Sequence, residues 1–112
     1  MGLYNCKIHG ERGVLSYASA GIVERILLKK RDSPLQVKVI NVVFQDNSAV
    51  LFDRKYYFTE EEFNASSFKD SYLIQSEEDD EKFSVLMINK LRPICVQCFN
   101  DFMTETGHAN LL

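Results

Sequence analysis

The chain has 112 residues, is 46% hydrophobic and 26% charged, and carries a formal charge of −3. That length suits a single domain, residues 1–112, able to bury a core without disulfides, and the composition excludes disorder throughout. No apolar stretch approaches the roughly 20 residues of a membrane helix, and the acidic balance argues against direct nucleic-acid binding, which needs concentrated Lys and Arg.

Tyr4–Ile8 reads as a short strand, Gly10–Gly13 as a turn, and Val14–Tyr17 as the returning strand of a hairpin. Ser19 is the N-cap of a helix from Ala20 to about Lys30, with Ile22, Val23, Ile26 and Leu27 on its core face. Lys29, Lys30 and Arg31 complement its dipole, and Asp32-Ser33-Pro34 stops it. Gln36–Phe44, rich in Val and Ile and apolar on both faces, predicts a strand with neighbours on both sides. After a turn at Gln45–Ser48, Ala49–Phe52 forms the next strand, with Asp53-Arg54-Lys55 marking its edge.

Thr59-Glu60-Glu61-Glu62 matches a capping box and opens a short helix, with Phe58 and Phe63 as its hydrophobic staple. Ser71–Gln75 is a further strand. Ser76–Arg92 supports two readings. Ser76 caps a helix with Phe83, Leu86, Met87 and Leu91 on one face, or Phe83–Lys90 alternates as a strand after a hairpin loop at Glu77–Glu81. The strand is favoured. Cys95–Glu105 is the last helix, stopped by Gly107, and residues 108–112 are expected to fray. The fold expected is α+β: an antiparallel sheet of four to six strands, one longer helix near the N-terminus, a short C-terminal helix, and adjacent termini.

All three cysteines fall into two spaced pairs with a histidine, Cys6-x-x-His9 and Cys95-x-x-Cys98. An odd cysteine count cannot close a disulfide framework. Met1–Cys6 lacks the basic-then-apolar pattern of a secretory signal, and Cys6 stands where a myristoylation motif needs Ser or Thr. A reducing, cytoplasmic compartment is expected. Pairs two residues apart converge on one ion, and three thiolates with one imidazole make a tetrahedral zinc set. Four protein ligands leave no position for water, so the ion is expected to be structural and metal hydrolysis is not implied. The chain is not expected to be an enzyme, a third class that would need a cleft with perturbed carboxylates. A vestigial site, which keeps the residues without the metal, is the variant of the zinc reading. Buried thiols with a surface histidine are the bland one. Either metal reading requires the head and tail of the chain to meet.

Two acidic runs, Glu60-Glu61-Glu62 and Glu77-Glu78-Asp79-Asp80-Glu81, read either as solvated helix starts and loops or as a surface for a basic partner. Tyr56 and Tyr57 read as contact anchors or as core.

The order Cys6-x-x-His9-Gly10-x-x-Gly13-Val14, an Ile/Val-rich middle strand, then Pro93-Ile94-Cys95-x-x-Cys98-Phe99 resembles a group of small bacterial proteins. That group includes immunity proteins of contact-dependent growth inhibition systems. The resemblance covers both ends of the chain. It implies binding and neutralisation of a cognate toxin, with a basic nuclease as the expected class. Glu60–Glu62 and Glu77–Glu81 would then be contact surface, with Tyr56 and Tyr57 as aromatic anchors. The alternative is a zinc-stabilised regulatory or nucleic-acid-binding adaptor.

Overall fold

The computed structural model describes residues 3–6, 9–28, 36–47 and 49–112. The expected basic end of the first helix, Lys29–Arg31, and its stop at Asp32–Pro34 lie outside these. The elements run β1 (Leu3–Cys6), β2 (Gly10–Ser19), α1 (Ala20–Leu27), β3 (Val37–Asp46), β4 (Ala49–Thr59), α2 (Glu60–Ala65), β5 (Ser71–Ile74), α3 (Glu77–Met87), β6 (Leu91–Cys95) and α4 (Val96–Glu105).

The chain is α+β, but the sheet is mixed rather than antiparallel. β3 pairs antiparallel with β4 and parallel with β5, and β2 meets β4 in parallel at Ala18 and Tyr57. β1 and β6 both pair antiparallel with β2, β1 along Gly10–Gly13 and β6 along Val14–Ser19. The expectation of antiparallel order assumed that neighbouring strands join by hairpins. Here α1, α2 and α3 intervene between strands, and such crossovers permit parallel pairing.

Register explains why β3 is apolar on both faces. Side chains alternate along a strand, so Val37 and Val39 share a face with Tyr57 of β4. That face belongs to a core of Ile22, Val23 and Ile26 from α1, and Phe99, Phe102 and Met103 from α4. Ile40 and Val42 share the opposite face with Tyr56, Phe58 and Ile74, and pack with Phe68 and with Phe83 and Met87 of α3. The sheet therefore separates two cores.

Residues 77–92 correct the favoured strand. Ser76 Oγ accepts from Asp79 N at 3.2 Å, and four acidic residues fill the first turn of α3, where the dipole favours them. Phe83 and Met87 are buried one turn apart, whereas Val85 is 70% exposed. An alternating strand would have buried Val85 with them. At 11 residues, α3 also exceeds α1, so the longer described helix is not the N-terminal one. β6 is not among the expected strands, and it carries Pro93, which sheets hold at edges or irregular positions. The shift in register between Leu15 and Ala18 of β2 falls opposite Pro93, so the residue with no N–H meets an irregular stretch of ladder.

Two boundaries also move. Gly10–Gly13 is strand rather than turn, and β4 runs on through Asp53-Arg54-Lys55 to Thr59. Arg54 stays in the strand because its guanidinium lies over Tyr17, Phe44 and Phe52, at 4.5, 5.4 and 5.3 Å from the ring centroids. Residues 108–112, expected to fray, include a 3-10 turn at Ala109–Leu111, and Tyr57 Oη donates to Leu111 O at 3.3 Å.

One carboxylate organises the starts of two helices. Glu62 Oε1 accepts from Thr59 N and Thr59 Oγ1, both at 2.9 Å, and from the buried Ser19 Oγ at 2.5 Å. Its Oε2 accepts from Gly21 N at 3.0 Å. Thr59 caps α2 and Ser19 caps α1, so the capping box read from sequence also ties the two helices together. Gly21 is required by space: a Cβ there would sit 2.8 Å from the Glu62 carboxyl. Glu62→Ala is expected to lower the unfolding free energy by about 2–3 kcal/mol, since hydrogen bonds to a charged acceptor are lost around a buried hydroxyl. Gly21→Ala is expected to destabilise despite alanine's helix propensity. Urea titration of both variants and the double variant checks this: the double should cost less than the two singles summed.

Candidate metal centre

β2 brings the two ligand pairs together. Cys6, the last residue of β1, lies opposite Gly10, and Cys95, the last residue of β6, lies opposite Val14. Both partner strands thus deliver their ligands to the beginning of β2, although the pairs are far apart in sequence. His9 occupies the turn between β1 and β2. Gly10 follows it with φ +74°, a left-handed conformation that glycine adopts without a Cβ penalty. Among the described residues other than its chain neighbours, no atom lies within 4 Å of where a Gly10 Cβ would be. Backbone conformation, rather than close approach to the ligands, is what requires glycine. Cys98 stands in the first turn of α4, whose N-terminal end favours a thiolate.

The ligand atoms of Cys6, His9, Cys95 and Cys98 all lie within 4.8 Å of one another. His9 Nδ1 is 3.6 Å from Cys6 Sγ, 3.8 Å from Cys95 Sγ and 3.4 Å from Cys98 Sγ, and the Cys6 and Cys98 sulfurs are 3.4 Å apart. A tetrahedral zinc ion with Zn–S about 2.3 Å and Zn–N about 2.0 Å separates sulfurs by about 3.8 Å and sulfur from nitrogen by about 3.5 Å. These four edges lie within a few tenths of an ångström of those values, and the remaining sulfur pairs lie within 4.8 Å. The four residues lie close enough to bind a metal ion, and their donor set is compatible with zinc. Head and tail meet here, as the spacing required.

Electrostatics points the same way. The Cys98 thiol is pushed up to about 12, first by burial, then by hydrogen bonding to Cys6 and Cys95 and by the proximity of their charge. Burial and the two neighbouring sulfurs thus oppose ionisation of Cys98, and a divalent cation beside it would reverse that balance.

Sequence reasoning missed the groups behind the ligands. His9 turns Nδ1 to the sulfurs and Nε2 to Asp101 Oδ2 at 3.1 Å. Gln97 Nε2 donates to Asp101 Oδ1 at 2.9 Å and orients the carboxylate. A carboxylate holding the far nitrogen of a metal-binding histidine fixes its tautomer and raises its basicity. Asp101 is one turn past Cys98 on α4, and that spacing was the available signal. Asp101→Asn is expected to weaken zinc binding by about 10- to 100-fold with a small change in metal-free stability, measured by competition with a chromophoric chelator. His108 bonds to Thr106 Oγ1 at 2.9 Å and is not in the cluster.

The other expected site residues lie elsewhere. Glu60, Glu61, Glu77, Glu78, Asp80 and Glu81 are exposed, and Asp79 is half-buried. Glu62 is committed to the two helix caps. Tyr56 and Tyr57 are 5% and 6% exposed, one in each core, which takes them off the surface as aromatic anchors.

No family model matches the chain, and neither the curated proteins nor the solved structures contain a match. Among the described residues no helix is long and apolar enough to cross a membrane.

Proposed function

We propose that Cys6, His9, Cys95 and Cys98 hold a structural zinc ion that clamps the β1–β2 hairpin to the β6–α4 junction, and that the chain is an immunity protein that binds and neutralises a cognate bacterial toxin in the cytoplasm. The observation that carries the zinc reading is the convergence of three sulfurs and one imidazole nitrogen within 4.8 Å of one another, with Asp101 supporting the histidine. Four protein donors complete the coordination, so the ion's role is to join chain segments rather than to activate water.

The partner reading rests on the resemblance at both ends of the chain and on the exposed acidic opening of α3. A nuclease that grips phosphate presents cations, and carboxylates compete for them and speed encounter. The adaptor reading has less support. Arg54 is engaged by aromatic rings, and Lys55 Nζ donates to Leu111 O and Leu112 O at 3.5 and 3.3 Å. Co-expression with the product of the neighbouring reading frame tests the proposal. A one-to-one complex that abolishes that protein's nuclease activity supports it. Binding to nucleic acid that falls steeply with salt would replace it with the adaptor.

A further inference from the structure

The geometry points to the free edge of β5 as the docking site for an extended segment of a protein partner, added to the sheet as a strand, with apolar side chains in the groove beside α3 and basic ones along its acidic opening. This rests on the reading of the chain as a partner-binding protein, and it does not depend on the metal centre.

β5 ends the strand order of the sheet and pairs with β3 alone among the described strands. The parallel register sets Asn41 against Ser71 and Val43 against Leu73, and Asn41 N donates to Asp70 O at 2.9 Å. In such a ladder Asn41 and Val43 bond to Asp70, Tyr72 and Ile74, which directs the N–H and C=O of Ser71 and Leu73 outward. Neither outward N–H has a backbone acceptor among the described turn and loop hydrogen bonds. Sheet edges are commonly blunted by short strands, charge, proline or a bulge. Ser71-Tyr72-Leu73-Ile74 is short at four residues but holds no charge, proline or bulge, and Leu73 is 48% exposed.

Beside this edge lies a groove of about 320 Å³. Tyr72, Leu73 and Ile74 of β5 and Phe83 and Leu86 of α3 give it apolar walls, with Asp79 and Lys82 on the α3 side and Lys69 ahead of β5. Lys82 is paired with Glu78 at 3.1 Å, which leaves the opening of α3 strongly anionic. The unpaired backbone selects a strand, because only an extended chain meets both Ser71 and Leu73. The charge selects its composition: apolar residues, with Lys or Arg, at the alternate positions that face α3. A second copy of this chain fits less well, because strand addition through β5 would draw two anionic helix openings together.

Panning a displayed library of random peptides about ten residues long, enough to span a strand, tests the inference. Enriched peptides should carry apolar and basic residues together at every second position, and the strongest should slow hydrogen exchange at the Ser71 and Leu73 amides. Leu73→Pro removes an outward N–H without removing a β3 bond, and should weaken that peptide by about tenfold or more. Asp80→Lys combined with Glu81→Lys, both at exposed positions, should weaken it similarly if the proline variant does not fold. Failure to enrich any sequence, or enriched peptides that leave both amides unprotected, would overturn the inference. So would a free protein that dimerises through β5. If the co-expressed partner binds without protecting Ser71 and Leu73, strand docking fails while the partner-binding reading stands.

Discussion

Removing zinc from the loaded protein should lower its melting temperature by about 10 °C or more, the shift that a loss of about 2–4 kcal/mol produces in a domain of this size. The two cores remain after chelation, so the metal-free chain should stay folded at room temperature, unlike zinc fingers that have little else. What is lost is the bond between the first hairpin and the last helix. Cys98→Ser should abolish the response to chelator, because a hydroxyl replaces a thiolate in the first turn of α4. The effect should depend on pH. With the Cys98 thiol pushed up to about 12 in the metal-free chain, it is protonated near neutrality, so zinc entry must release its proton. Zinc affinity should therefore fall as pH falls, and calorimetry in buffers of different ionisation enthalpy should detect the released proton.

Phe99→Ala should cost about 3–5 kcal/mol, the usual cost of emptying a large aromatic site in a core. Phe99 is 1% exposed, and its ring stands 4.8 Å from that of Tyr57, so it joins α4 to the sheet directly beside Cys98. Val85→Ala is the control. At 70% exposed on α3, Val85 should change stability by less than about 0.5 kcal/mol. Urea denaturation separates the two. Equal effects would mean that residues 83–90 pack as an alternating strand and that the assignment of α3 is wrong.

Much of this was legible in the chain. The two spaced pairs use all three cysteines with His9, and one ion shared between them would require the ends to meet, as they do. Thr59 and Glu62 announced their helix because a capping box is a local contact. Ser76 announced α3 in the same way, but the alternation of Phe83, Val85 and Met87 fits both periods over so short a run. Only the exposure of Val85 decides between them. Strand direction was not legible, since parallel pairing depends on how the intervening helices cross the sheet. Asp101 and Gln97 were hidden for a related reason. They matter through His9, a residue far from them in sequence, and locally Asp101 is marked by no more than its place one turn past Cys98. Tyr56 and Tyr57 were misplaced as anchors because adjacent residues of a strand face opposite sides, and here both sides are cores.

Zinc content together with zinc-edge X-ray absorption of freshly purified, reduced protein tests the central claim most directly. About one zinc per chain, with about three sulfurs near 2.3 Å and one nitrogen near 2.0 Å, is the expected result. A metal-free protein that gains no thermal stability when zinc is added, or a shell of oxygen donors, would contradict it.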